Sequence, residues 1–480
     1  MVGITAYGGY VPRLRLSRQA IHAANKWFAA GLGGQAKGEK AIGNWDEDSI
    51  TMAVEAARDC LTGSDASHID TLYFASTTQP FKDRQNAGVI GTALHREDGL
   101  AVADFGGSLK CGTAALMAGL DAAKAGRKVM VAAADKRQAK VASANEMQYG
   151  DGAAALSLGT DKVIAKFLGG YSTSVDFVDH FRGDESDFDY AWEERWIRDE
   201  GYAKVVPPAL AAALDRVKLK GADIAHFIMP SLMAAVPKQM AKRAGIAESA
   251  VRDLLGANLG DTGAAHPLVM LAHCLESAKA GDKIMVVGFG QGLDVLVFEV
   301  TDELAKLPKR LGIGGHLARR KEEKNYMKYL AFNEMLPLEK GMRAEFDKKT
   351  ALSILYRKRD MLYGLIGGKC KVCGTVQFPK TQVCVNPNCH AMDSQEDYPF
   401  AGMEAQIMSW SADSLTYTPD PPAFYGMITF AEGGRFMADF TDCDAEQVKV
   451  GARMRMVFRI RDVDHVRGGF KRYFWKATPV

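Results

Sequence analysis

From the first residue to about residue 300, apolar runs of strand length alternate with longer stretches whose apolar residues share one helical face. Residues 46–58 open with acids and carry Ile50, Ala53, Val54 and Ala57, continued by Leu61, on one side, so the spacing predicts a helix. Residues 69–76 read as a buried strand, residues 128–134 as another, and residues 149–158 as a glycine turn entering a third. Between the first two lies Asp104-Phe-Gly-Gly-Ser-Leu-Lys-Cys-Gly-Thr-Ala-Ala-Leu116, a strand, a glycine elbow and an Ala/Leu-rich helix beginning near Lys110. Cys111 would face the positive end of that helix, where a thiol loses its proton more easily and becomes a better nucleophile.

The order then repeats. Ala123-Lys-Ala-Gly-Arg-Lys-Val-Met-Val131 returns 155 residues later as Ala278-Lys-Ala-Gly-Asp-Lys-Ile-Met-Val286, and the same offset pairs residues 69–76 with 224–231. Two similar α/β halves about a pseudo-twofold axis, each with a mainly parallel sheet, are the expectation. The offset sets Cys111 opposite His266, in Asn258-Leu-Gly-Asp-Thr-Gly-Ala-Ala-His-Pro-Leu-Val269, again a glycine loop opening an apolar helix with Pro267 in its first turn. Two helix starts facing one cavity would bring a thiol and an imidazole together; the plainer alternatives are a packed cysteine and a histidine capping its own helix. Between the halves, residues 176–200 are rich in acids and aromatics and read as a solvated connection with a few anchors, a cap or dimer contact being the alternative.

Totals narrow the classes. The chain has 480 residues, 60 basic and 58 acidic, for a formal charge of +2, which argues against nucleic-acid binding through overall charge. No apolar run approaches the ~20 residues that span a bilayer, and no basic segment leads into an apolar one near residue 1, so neither a membrane span nor a signal peptide is expected. Of eight cysteines, Cys370, Cys373, Cys384 and Cys389 cluster as two knuckles, with Gly374 at the first turn. Four thiolates at that spacing suit a closed, tetrahedral, structural Zn²⁺ in a reducing, cytoplasmic compartment. Alternating strands follow at 405–410, 424–430, 435–440 and 453–461, with Glu432-Gly-Gly434 as a hairpin turn, and a small barrel fits them. Arg453, Arg455, Arg459, Arg461, Arg467, Lys471 and Arg472 read as a solvated face.

Gly3-Ile-Thr-Ala-Tyr-Gly-Gly-Tyr-Val-Pro12, the acid-led helix, Gly112-Thr-Ala-Ala-Leu116, Gly150-Asp-Gly152 and Gly288-Phe-Gly-Gln-Gly292 together resemble the thiolase superfamily in its HMG-CoA-synthase-like branch. The ribbon and barrel, with Phe378-Pro379 between the knuckles, resemble the rubredoxin-like zinc ribbon and OB-fold that accompany acyl-CoA thiolases. The resemblance implies a duplicated five-layered α/β fold in residues 1–300, with halves of about 1–160 and 161–300. A charged linker at 301–350, the ribbon at 351–394 and the OB-fold at 395–480 follow.

It also implies an acyl-CoA substrate, coenzyme A contacts at Gly288, Gly290 and Gly292, and a homodimer or a larger complex with another acyl-CoA enzyme. The barrel would shape the acyl-CoA entrance or contact the CoA phosphates. The family's nucleophilic cysteine falls at Leu109, its glutamate near Thr77, its histidine at Ile228, and its late asparagine or histidine at Asp261. Three readings stay open. The first makes Cys111 a relocated thiolase-type nucleophile with His266, or His226, as base. The second is a non-covalent retro-aldol lyase acting on a β-hydroxyacyl-CoA through Asp261, His266 or Tyr149. A non-catalytic scaffold is the third.

Overall fold

The computed structural model describes residues 1–64, 66–96, 99–345 and 350–480. They divide into one unit of Met1–Gly43, Asp48–Gly88 and Asp98–Tyr329 and another of Asn44–Glu47, Val89–Glu97 and Leu330–Val480. In the first half of the first unit the elements are β1 (Gly3–Tyr10), α1 (Ser49–Cys60), β2 (Thr71–Ala75), β3 (Ala101–Phe105), α2 (Cys111–Lys124), β4 (Val129–Asp135) and β5 (Gly152–Gly159). In its second half they are β6 (Ala165–Ser174), α3 (Ala203–Val217), β7 (His226–Ile228), α4 (His266–Leu275), β8 (Lys283–Phe289) and β9 (Gly292–Val300). The expected first helix is α1, and its start is fixed by a capping box. Asp48 accepts from the Thr51 N–H at 3.0 Å, and the Thr51 hydroxyl accepts from the Asp48 N–H at 2.9 Å.

The strand order is β7-β8-β9-β6-β1-β5-β4-β2-β3, so the two halves mirror each other across the β6–β1 seam. That seam pairs Gly3 with Lys166 and Ile4 with Ala165. Each half-sheet is mixed rather than mainly parallel. β2–β3, β2–β4 and β7–β8 are parallel, whereas β1–β5, β4–β5, β1–β6, β6–β9 and β8–β9 are antiparallel. The reason is local. β8 runs into β9 through Gly290 and Gln291 alone, far too short a link for a parallel crossover.

Apolar residues occur on both faces of the strands because both faces are covered. Ile284 and Val286 of β8 pack with Leu116 and Leu120 of α2 and Leu268 and Leu271 of α4. Their neighbours Met285 and Val287 pack with Val206, Leu210 and Leu214 of α3. With α1 against β1, β4 and β5, this gives five layers, α2 and α4 forming the middle one.

Residues 301–329, within the stretch expected as a charged and helical linker, belong to the first unit. Glu323 and its neighbours form a strand, Lys321–Glu323, paired in parallel with Leu14–Ser17 of the same unit. The helix Gly312–Ala318 is anchored at its start by Asp59, which accepts from the Gly312 N–H, and by Glu276, which accepts from the Ile313 N–H. Residues 346–349 of the expected linker lie outside the described residues.

The second unit holds a three-stranded ribbon, β10 (Ile366–Cys370), β11 (Val376–Gln377) and β12 (Gln395–Pro399). Its barrel comprises β13 (Ala405–Asp413), β14 (Ala423–Phe430), β15 (Arg435–Asp439), β16 (Arg453–Asp464) and β17 (Phe470–Pro479), in the order β15-β14-β13-β16-β17. A bridge between Phe440 and Ala477 joins its ends. β17 is the strand that sequence pattern missed. Its alternate residues Tyr473, Trp475 and Ala477 are core, and the Trp475 indole N–H donates to the Tyr363 carbonyl at 2.6 Å.

One arginine departs from the solvated face expected of β16. Arg459 is fully buried, its Nη2 at 3.1 Å from Glu47 and 2.9 Å from Asp442. Asp46, also fully buried, takes Lys476 Nζ at 2.8 Å and the Thr441 hydroxyl at 3.0 Å. Three carboxylates and two cations are thus paired inside this unit. Removing one partner leaves buried charge uncompensated, so Arg459→Met should cost the C-terminal unit about 3–5 kcal/mol in denaturant unfolding.

Candidate active site and metal centre

The 155-residue offset holds at the helix starts: α2 begins at Cys111 and α4 at His266. The two starts abut, since a Cβ on Gly112 would lie 2.2 Å from the Ala264 carbonyl oxygen. Cys111 and His266 are nonetheless engaged elsewhere. Cys111 is 3% exposed, and burial followed by the neighbouring Asp135 carboxylate pushes its thiol well above the ordinary value. The expectation of an activated thiolate is therefore reversed: desolvation and a like charge outweigh the helix dipole. His266 is equally committed. Its Nδ1 accepts from the Thr262 N–H at 3.2 Å and lies 3.0 Å from the Thr262 hydroxyl, and its Nε2–H donates to the Leu254 carbonyl at 3.0 Å. That fixes the neutral ring, in agreement with the lowering that burial imposes, and leaves no lone pair for a substrate proton. It caps the loop before its own helix.

Asp261 is placed differently. Its Oδ1 accepts from Arg137 Nη1 at 2.9 Å and the Gly263 N–H at 3.0 Å, while Oδ2 accepts no hydrogen bond among the described residues. It lines, with His266, Met147, Gln148, Ser231 and Gln35, a cavity of about 260 Å³ reached also by the exposed Lys37. Gln35 Oε1 in that lining is buried without a hydrogen-bond partner among the described residues. A roomier cavity of about 590 Å³, between Tyr7, Glu276 and the 301–311 segment, contains none of the candidate residues.

Arg137, just beyond β4, is the hub that the sequence pattern missed. Beyond Asp261 it reaches Asp189 through Nη2 at 2.8 Å and lies 3.7 Å over the Tyr149 ring. Asp189 also accepts from Arg182 Nη1 at 2.8 Å and from the Tyr149 hydroxyl at 3.0 Å. Burial alone would raise Asp189, but the Arg137 guanidinium, helped by Arg182, outweighs it and holds the carboxyl below its ordinary value. Burial raises the Tyr149 phenol above its ordinary value, so it stays protonated. Charge count on a surface-looking connection gave no sign of this; only the pairing of Asp189 with an arginine 52 residues upstream does.

The late glycines are consumed by packing. A Cβ on Gly288 would meet Thr113 at 2.2 Å, one on Gly290 the Lys110 nitrogen at 2.8 Å, and one on Gly292 the Thr173 oxygen at 2.1 Å. His226 sits apart, its Nε2 3.0 Å from Asp282. In the second unit the sulfurs of Cys370, Cys373, Cys384 and Cys389 lie within 4.8 Å of one another. Four thiolates so gathered fit a tetrahedral Zn²⁺ with no open position, hence a structural site.

Known proteins match both the first unit and the C-terminal domains. Residues 214–298 fit the C-terminal model of 3-oxoacyl-[acyl-carrier-protein] synthase III. The Pyrococcus horikoshii hydroxymethylglutaryl-CoA synthase is 29% identical over 316 residues, covering 64% of this chain and 89% of the relative. That of Thermococcus sibiricus is 30% identical over 298 residues, 61% of this chain and 83% of the relative. The chain belongs to the hydroxymethylglutaryl-CoA synthase family. Among solved structures, an HMG-CoA synthase complexed with CoA superposes with TM-score 0.59 at 16% identity, over 73% of this chain and 95% of that one. The 3-oxoacyl-(acyl carrier protein) synthase III of Pseudomonas aeruginosa PAO1 gives 0.55 at 19%, over 63% and 98%. Both share the fold. This family member adds a rubredoxin-like zinc ribbon at 361–393 and an OB-fold at 398–459, each matching the corresponding ChsH2 domain model. Among the described residues no helix is long and apolar enough to cross a membrane.

Two measurements test this account. Brief alkylation of the folded protein at mildly alkaline pH should leave Cys111 unmodified and label it only after denaturation, read by peptide mass. The purified chain should carry one zinc equivalent lost on substituting Cys384 by serine, read by metal analysis.

Proposed function

We propose that this acyl-CoA enzyme makes or breaks a carbon–carbon bond beside the thioester without an acyl-cysteine, as an aldol or retro-aldol catalyst on a β-hydroxyacyl-CoA. The observation that carries the reading is Asp261. It is the titratable cavity residue with an oxygen left over for substrate, while Leu109 has no nucleophilic atom and Cys111 is held protonated beside Asp135. In the cleavage direction Asp261 Oδ2 takes the β-hydroxyl proton, the Cα–Cβ bond breaks, and its electron pair passes into the thioester enolate as the β-carbon becomes a carbonyl. The protonated Asp261 then returns the proton to the α-carbon.

A CoA thioester also suits the cavity. Its pantetheine amides bring the N–H donor that buried Gln35 Oε1 lacks among the described residues, and Lys37 offers charge to its phosphates. A homodimer is part of the same proposal.

The enolate half-reaction is testable without the native acyl group, as wash-out of α-deuterium from deuterated acetyl-CoA. Asp261→Asn should slow it by about 10²–10⁴-fold. Cys111→Ser should leave it unchanged, and intact mass after incubation with acetyl-CoA or acetoacetyl-CoA should show no cysteine adduct. An acetyl group on the Cys111 peptide, lost in Cys111→Ser, would establish the thiolase-type alternative instead.

A further inference from the structure

Asp189 lies in the second half, on the segment between β6 and α3. It sits at the end of a loop closed by the short antiparallel pair His180–Phe181 and Tyr190–Ala191, in the acidic, aromatic stretch that joins those two elements. Most of that segment is exposed, yet the Asp189 side chain is 4% exposed and all its donors are strong ones: Arg137, Arg182 and the Tyr149 hydroxyl. Arg182, on the opposite arm of the loop, takes the other carboxylate oxygen and also donates to the Thr77 carbonyl. Thr77 is where the resemblance places the family's glutamate. The loop is thus fastened over that position by an Asp189–Arg182 clasp.

We propose that Asp189 is a positioning residue for the proposed base, acting through Arg137. Asp189 engages Arg137 side-on, through Nη2 at 2.8 Å and Nε at 3.3 Å. A planar guanidinium gripped along that edge has one direction left for Nη1, and Nη1 meets Asp261 Oδ1 at 2.9 Å. Asp261 is thereby pinned by one oxygen, with the other left to the cavity. Tyr149, stacked under the guanidinium and bonded to the same carboxylate, closes the ring of contacts. The inference rests on Asp261 being the base, but it adds that the alignment of this base is imposed by the loop between β6 and α3, which carries neither Arg137 nor Asp261.

The test uses the full-length zinc-loaded chain and the acetyl-CoA deuterium wash-out as probe. Asp189→Asn keeps the shape of the side chain but must turn an amide N–H₂ toward one of its arginines. The expected result is a fall in kcat of about 10–100-fold with KM for acetyl-CoA unchanged, because a small misalignment of the base slows proton transfer without touching the CoA contacts. Arg137→Lys should cost about as much alone and nothing further when combined with Asp189→Asn, as expected of one coupled unit. If Asp189→Asn fails to fold, judged by thermal unfolding, Arg182→Gln opens the clasp from the exposed arm and should give a smaller loss in kcat, again at constant KM. An unchanged kcat in these variants, or a change confined to KM, overturns the proposal while leaving Asp261 as base if Asp261→Asn is inactive. An active Asp261→Asn instead overturns the reading on which it rests.

Discussion

One carboxylate holds the centre of the first unit together. Asp135, at the end of β4, accepts from the Ser76 hydroxyl at 2.9 Å, from the N–H and hydroxyl of Thr77 at 2.7 and 2.9 Å, from those of Thr78 at 3.1 and 3.0 Å, and from the Ala264 N–H at 2.7 Å. A fully buried carboxylate survives only when its charge is spread over donors in this way. The bonds tie the loop after β2 to the start of α4, that is, one half of the duplication to the other. The same carboxylate sits beside Cys111, where burial first and this charge second raise the thiol above its ordinary value. The bond network that ties the halves together therefore also disfavours a thiolate at the nearest cysteine.

The crossing is reciprocal. At the 155-residue offset Asp135 stands opposite Gly290. Asp135 reaches from the first half to the amide before α4. Gly290, in the second half, closes on the elbow before α2, where its carbonyl accepts from the Ser108 hydroxyl at 2.7 Å. Backbone symmetry is kept while side-chain chemistry diverges. The helix starts became Cys111 and His266, one silenced by burial and charge, the other by two hydrogen bonds of its own. In the proposed reaction, proton chemistry falls to Asp261, held by an arginine whose other carboxylate partner, Asp189, comes from the loop between β6 and α3.

In the second unit the same rule appears without a reactive outcome. A short ribbon and a five-stranded barrel enclose little apolar volume, and four cysteines gathered for a metal supply part of what a larger core would. The Arg459 cluster works in the opposite sense. Its charges are paired, but the desolvation of so many ionic groups leaves small net stabilisation and a large penalty for losing any one of them.

Periodicity, glycine placement and the repeat were enough to read the halves, the two matched helix starts and the cysteine knuckles, because these depend on residues near one another in the chain. The strand directions were misjudged, since a two-residue turn between β8 and β9 forces an antiparallel pair there. The sequence also placed Asp261 among the candidates, on its glycine loop. It could not show that Cys111 would be buried against Asp135, that His266 would spend both ring nitrogens on the backbone and Thr262, or that Arg459 would leave the solvated face of its strand. Nor could it single out Asp189 within an acidic, apparently solvated connection. Each of these depends on partners that the local pattern does not reveal, from Thr262 four residues before His266 to Glu47 hundreds of residues before Arg459, and the state of an ionisable group is decided by those partners and by the water they exclude. The sequence alone determined which chemistry was at hand; the tertiary structure decided which of those groups retains an unengaged oxygen at the cavity.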